Sequence, residues 1–234
     1  MENNYEPYVA PKNEQDQVSD IQSVMSKTFL FMSAGLLISA LCAIATYQSS
    51  LVDTLLSNRT LFYVLRFGEL GIIMVVNIAL GKQKVGQAGL LFIVYACMNG
   101  VTLSTIFVVF ELGSIFSIFF MAAILFTVMA VYGYVTKSDL TRLGSIGIMG
   151  LFGVIIVSVL NIFMKSSGLD LVISMVALAI FIGLTAYDMQ KIKLMASERN
   201  GKSTTSIAMF GALQLYLDFI NIFLRLLRLF GKRR

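Results

Sequence analysis

The sequence has no histidine and no tryptophan, two cysteines, two prolines and only 13% charged residues. Without histidine there is no imidazole base for a Ser-His-Asp triad and no imidazole ligand for zinc or haem. Cys42 and Cys97 are too few for a disulfide framework, and among apolar neighbours they read as buried small hydrophobes. Both prolines, Pro7 and Pro11, lie near the start of the chain. Kinks further on must therefore come from glycine or inserted polar groups. What fills the 234 residues instead is apolar side chain, 57% of the total, more than a water-facing surface accommodates. The chain reads as a bilayer protein. Its net charge of +5 is spread between apolar blocks, which excludes a nucleic-acid face and makes the charges topology signals.

A helix needs about 20 apolar residues to cross ~30 Å of hydrocarbon. Seven stretches qualify: 28–52, 61–80, 85–110, 112–136, 143–164, 171–192 and 204–224. The expected organisation is an acidic flexible tail at 1–26, a membrane domain at 27–228 and a basic tail at 229–234. No short basic segment with a brief apolar run and a cleavage site precedes the first span, so that span is expected to be the insertion signal. With the N-terminus inside, the cytoplasmic set is Lys12, Lys27, Lys82, Lys84, Lys137, Arg142, Lys191, Lys193, Arg199 and Lys202, against Arg59 and Lys165 outside. That bias places the chain in the plasma or inner membrane with a cytoplasmic N-terminus. Arg225, Arg228, Lys232, Arg233 and Arg234 after the last span break the rule. Either the final helix crosses, the favoured reading, or it dips in and returns. Gly144, Gly147, Gly150 and Gly153 recur every third position in the fifth span, where they let neighbouring backbones approach.

An ionisable group in the bilayer costs at least ~2.5–3.5 kcal/mol on insertion scales, so one that persists has a partner or a task. Arg66 and Glu69 stand three apart and suit a local ion pair, Glu69 being the deeper and a candidate for a polar path. Gln214, Asp218, Asn221, Arg225, Arg228 and Lys232 follow spacings of 4, 3, 4, 3 and 4, one face of a helix. A polar seam in a membrane helix faces protein or water, never lipid tails, so the last helix is expected at the centre with six around it. Asp188 closes the sixth span, and antiparallel neighbours joined by a short hairpin can bring it to Asp218. Taking Asn200 as the tip, Asp188 lies 12 residues before and Asp218 18 after, a mismatch of about 9 Å at ~1.5 Å rise that tilt must absorb. Two carboxylates ~4 Å apart at an effective dielectric of ~20 repel by about 4 kcal/mol. Such a pair shares a proton and titrates jointly. Losing that proton separates the helices or recruits Ca²⁺, an oxygen-seeking cation.

The segments Thr185-Ala-Tyr-Asp-Met-Gln-Lys-Ile192 and Leu215-Tyr-Leu-Asp-Phe-Ile-Asn-Ile-Phe-Leu224 with Arg225 to Arg228, and more weakly Asn99-Gly-Val-Thr-Leu-Ser104, resemble the Bax inhibitor-1 family in its bacterial form. The resemblance covers everything after the acidic tail. It implies an all-α integral membrane protein of seven helices, six about the C-terminal one, and a pH-sensitive Ca²⁺ leak. It also implies that Asp188 and Asp218 form the pH sensor, as possible Ca²⁺ ligands, and that Glu69 lies in the polar interior. Arg66, Gln214, Asn221, Arg225 and Lys82 are the further path or latch candidates, Lys84 standing beside Lys82. The expected partners are lipid, Ca²⁺ and H⁺, with no obligatory cofactor and no catalysis.

Two other classes compete. An intramembrane aspartyl protease of the presenilin type also sets a Tyr-Asp beside a second Asp. Here that second aspartate sits in Leu-Asp-Phe, not Gly-x-Gly-Asp, and no Pro-Ala-Leu segment exists. A non-conducting regulator of another membrane protein would use the acidic tail and the basic loop from Lys191 to Lys202 for docking.

Overall fold

The computed structural model describes residues 14–198 and 201–234. The acidic residues before 14 and the hairpin tip expected at Asn200 lie outside them. Nine helices follow one another among the described residues: α1 (Glu14–Gln48), α2 (Leu51–Ser57), α3 (Arg59–Gly81), α4 (Val85–Leu103), α5 (Thr105–Val109), α6 (Leu112–Val135), α7 (Thr141–Met164), α8 (Ser167–Glu198) and α9 (Thr204–Phe230). They make seven crossings long and apolar enough to span a membrane, α4 and α5 together forming one. The protein is an all-α, multi-pass membrane protein.

Each expected span is present, but three boundaries differ. The first helix starts at Glu14, inside the stretch expected to be a flexible tail. At ~1.5 Å per residue its 35 residues reach well past the ~30 Å hydrocarbon layer. The early turns are helical because they pack: Val24 is fully buried and Met25 nearly so, in the same cluster as Ala196 near the end of α8. Second, α2 occupies a stretch expected to be loop, anchored by buried Val52 and Leu55. Third, the third span breaks at Ser104 with no proline involved. The Thr102, Ser104 and Thr105 hydroxyls donate back to the carbonyls of Asn99, Val101 and Thr102 at 2.7–2.9 Å. Such back-bonds compete with the helical ladder and bend it.

The basic tail expected at 229–234 lies against the bundle. Helix α9 runs to Phe230, and the last residues pair with the α5–α6 turn. Glu111 N donates to Lys232 O at 3.0 Å and Arg234 N to Val109 O at 3.1 Å. Lys232 and Glu111 form an ion pair at 3.1 Å, Arg228 and Asp170 one at 2.7 Å, and Arg234 donates to Tyr47 Oη at 3.2 Å. These partners sit at the ends of α1 and α5, in the α5–α6 turn and in the first turn of α8, remote from where α9 begins. The final helix therefore crosses the bundle.

Helix α9 is the core element. In its most apolar stretch 72% of residues are buried, against 0% in α7. It packs against α1, α3, α4, α6 and α8, and α7 joins the ring through α8. The glycines of α7 make that junction: a Cβ at Gly144, Gly147 or Gly150 would meet Tyr187, Leu184 or Ile180 at 2.6–2.8 Å. Gly153, the fourth of the series, has open space. In α6, Gly133 lies directly on the backbone of Ala186 in α8. At the α6–α7 turn the Thr141 hydroxyl and then its backbone N–H, which donates to Asp139 at 2.9 Å, hold that carboxyl below the usual carboxylate range. Gln190 fastens the same turn, accepting from Leu140 N at 2.9 Å and donating to Ser138 O at 2.8 Å.

Candidate functional site

Helices α8 and α9 form the most extensive pair in the bundle, and along it Asp188 and Asp218 lie in direct side-chain contact. Asp188 stands ten residues before the end of α8 and Asp218 fourteen after the start of α9, an axial offset of about 6 Å at ~1.5 Å per residue. Asp218 is buried, 4% exposed, while Asp188 is half-buried. Among the described residues, Asp218 Oδ2 is the one buried side-chain oxygen or nitrogen with no hydrogen-bond partner. The cation that faces Asp188 is Lys191, one turn further along α8, its ammonium 5.6 Å from the Tyr187 ring centre and 5.3 Å from that of Phe210. Lys82, the expected latch, is exposed at the end of α3, and Lys84 is exposed beside it.

A second polar centre lies on the opposite side of α9. Glu69 is buried, 5% exposed, and accepts from Thr102 Oγ1 at 2.7 Å and Asn99 Nδ2 at 3.3 Å. Arg66 approaches Glu69 at 3.5 Å, the ion pair expected from their spacing. Asn99 Oδ1 accepts from Tyr216 Oη at 3.1 Å, and that hydroxyl is 2.6 Å from Ser39 Oγ, which also donates to Ala96 O at 2.7 Å. The chain Arg66–Glu69–Asn99–Tyr216–Ser39 thus ties α3, α4, α9 and α1 together through groups that satisfy one another. Gly100 permits it by packing on Ser39 of α1, where a Cβ would also meet Cys42 Cβ at 2.7 Å.

The seam predicted along α9 is real but graded. Asp218 is buried, Gln214, Asn221 and Arg225 are half-buried, and Arg228 is exposed. Asn221 donates to the Leu217 carbonyl of its own helix at 2.8 Å. Sequence reasoning missed Tyr216, Ser39 and Thr102. Tyr216 is fully buried and stands within the Leu-Tyr-Leu-Asp segment, where an aromatic among leucines looks like packing.

The carboxylate pair offers a cation at most four oxygens, fewer than the ~6–8 that Ca²⁺ takes. Among the described residues no group of three acidic, cysteine or histidine side chains gathers anywhere.

Similarity to known proteins agrees with the membrane architecture. Over 213 residues the chain is 43% identical to a protein of Borreliella burgdorferi, covering 90% of this chain and 92% of that one. It is 37% identical over 218 residues to the inner membrane protein YbhL of Escherichia coli K12, covering 92% and 93%. A Rickettsia prowazekii protein, RP147, is 36% identical over 215 residues, covering 92% and 91%. Residues 21–234 match the family described as "Inhibitor of apoptosis-promoting Bax1". With that match over nearly the whole described bundle, the chain belongs to the Bax inhibitor-1 family.

Proposed function

We propose that the protein is a pH-sensitive Ca²⁺ leak of the cell membrane, N-terminus cytoplasmic, gated by a proton shared between Asp188 and Asp218. The single observation that supports this most is the contact of the two carboxyl groups with Asp218 Oδ2 left unpartnered. A proton held between the carboxyls supplies the missing donor and removes the repulsion of two anions. In that state α8 and α9 stay closed. Loss of the proton restores a repulsion of about 4 kcal/mol at ~4 Å and an effective dielectric of ~20, enough to separate the packed helices or draw a divalent cation between them. Gln214, Asn221 and Arg225 continue the polar face of α9, and the Glu69 centre forms the fixed polar wall that α9 moves against. Lys191 stabilises the deprotonated Asp188 in place of Lys82. The protein does no catalysis in this reading, and its ligands are Ca²⁺ and H⁺.

The test is Ca²⁺ entry into dye-loaded vesicles containing only lipid and the purified protein. Entry is expected to change between about pH 6 and 8, and Asp188→Asn and Asp218→Asn are each expected to abolish that change. A pH profile unaltered in both variants contradicts the proposal. Vesicles silent at every pH point to the alternative, a non-conducting regulator of another membrane protein.

A further inference from the structure

At the end of the bundle where α9 terminates, a cavity of about 480 Å³ is lined by Phe62, Arg66, Asn221, Arg225, Arg228 and Arg233, among others. The four guanidinium groups come from α3, the last turns of α9 and the C-terminal residues beyond it, segments brought together only by the fold. Such a volume is typical of a small-ligand site. The charge in it is unbalanced. Arg66 is engaged by Glu69 at 3.5 Å and Arg228 by Asp170 at 2.7 Å. Arg225, half-buried, and Arg233 make no ion pair among the described residues. The neighbouring basic groups are occupied elsewhere, Lys232 by Glu111 and Arg234 by Tyr47.

The carboxylate that acts on Arg225 is Asp170, already paired with Arg228, and a half-buried guanidinium that shares its counter-charge is costly unless a further anion completes it. Several planar forks converging on one space suit an oxyanion with oxygens in more than one direction, which a phosphate has and a single carboxylate lacks. The depth agrees. The cavity is walled by Thr105 to Phe110 at the end of the third span and by the last turns of α9, which is headgroup level, not mid-membrane. We infer that this arginine-lined cavity is a binding site for a phosphate group, presented either by an anionic phospholipid or by free phosphate, with Arg225 and Arg233 as its principal ligands. Occupancy neutralises a mouth that would otherwise repel cations. The binding itself does not depend on whether the protein conducts Ca²⁺.

The test is binding, measured on the full chain. In one arm, native mass spectrometry of the protein in neutral detergent follows retention of phosphatidylglycerol against phosphatidylcholine. In the other, calorimetry titrates inorganic phosphate into the same preparation. Wild type is expected to retain phosphatidylglycerol over phosphatidylcholine or to bind phosphate, the responding arm identifying the source. Arg225→Gln and, independently, the exposed Arg233→Gln are each expected to weaken that binding at least tenfold, Arg225→Lys less so because charge remains while the fork is lost. Arg142→Gln, which removes an exposed charge at the other end of the bundle, is expected to change nothing. The inference is overturned if neither arm responds, if both glutamine variants bind like wild type, or if Arg142→Gln weakens binding as much as they do.

Discussion

At the scale of single residues, the membrane interior sets a strict rule: a polar group below the headgroups is either satisfied or in use. Tyr216, Asn99, Thr102, Ser39 and Glu69 follow the first course. Tyr216→Phe removes the hydroxyl that donates to Asn99 Oδ1 and contacts Ser39, leaving a buried acceptor unmet while changing little volume. The expected loss is about 0.6–2 kcal/mol, the range for buried and intramembrane hydrogen bonds, read by reversible unfolding in detergent. Full stability in that variant would show that the chain from Arg66 to Ser39 holds nothing together. Asp218, whose Oδ2 has no partner among the described residues, follows the second course in the proposed function. It is conspicuous in the sequence, because an aspartate among leucines and phenylalanines in a spanning helix has no cheap explanation. Tyr216, two positions earlier, gives no such signal, since its polar tip matters only when a partner from a distant helix is known.

At the scale of elements, hydropathy locates the spans because the bilayer imposes a length on them. It is silent where a helix continues beyond the hydrocarbon. The first thirteen residues of α1, whose charge suggests a tail, are ordered by burying Val24 and Met25 beside α8, a contact no local pattern encodes. The break at Ser104 is legible afterwards in the run Thr102-Leu-Ser-Thr105, whose hydroxyls can turn on their own backbone. Glycine spacing in α7 foretells a close seam, and three of the four glycines make it. Gly133, outside that series, makes the closer approach. Gly133→Ala pushes α6 off Ala186 and is expected to cost about 1–3 kcal/mol as overpacking. Gly153→Ala meets nothing and is expected to be neutral or slightly stabilising through helix propensity. Equal effects of the two on thermal unfolding would refute this division of the glycines.

At the scale of the whole molecule, the arrangement has two unlike ends. One carries the loops with Lys82, Lys84, Lys137 and Arg142; the other gathers the C-terminus, the α5–α6 turn and the arginine-lined cavity. Counting charges in the sequence leaves the side of the C-terminus open, since its cluster of positive charge defies the inside bias that orders every other loop. Pairing of the last residues with Val109 and Glu111 decides that α9 crosses. Single cysteines placed at Lys137 and at Arg234, in a background without Cys42 and Cys97, are therefore expected to react with an impermeant maleimide from opposite faces, the former from the cytoplasmic one. Labelling of both from one face would return α9 to a re-entrant path. The arginine cavity cannot be read from sequence at all, because Arg66 and Arg233 are distant in the chain and their convergence needs the complete bundle.

The proton shared by Asp188 and Asp218 is what the gating account depends on, and infrared difference spectroscopy of the protein in lipid reads it without reference to flux. Between about pH 6 and 8 a protonated-carboxyl band is expected to disappear in wild type, and to be missing or displaced in pH in both Asp188→Asn and Asp218→Asn. A spectrum with no such band, or one that titrates identically in the wild type and both variants, would contradict it.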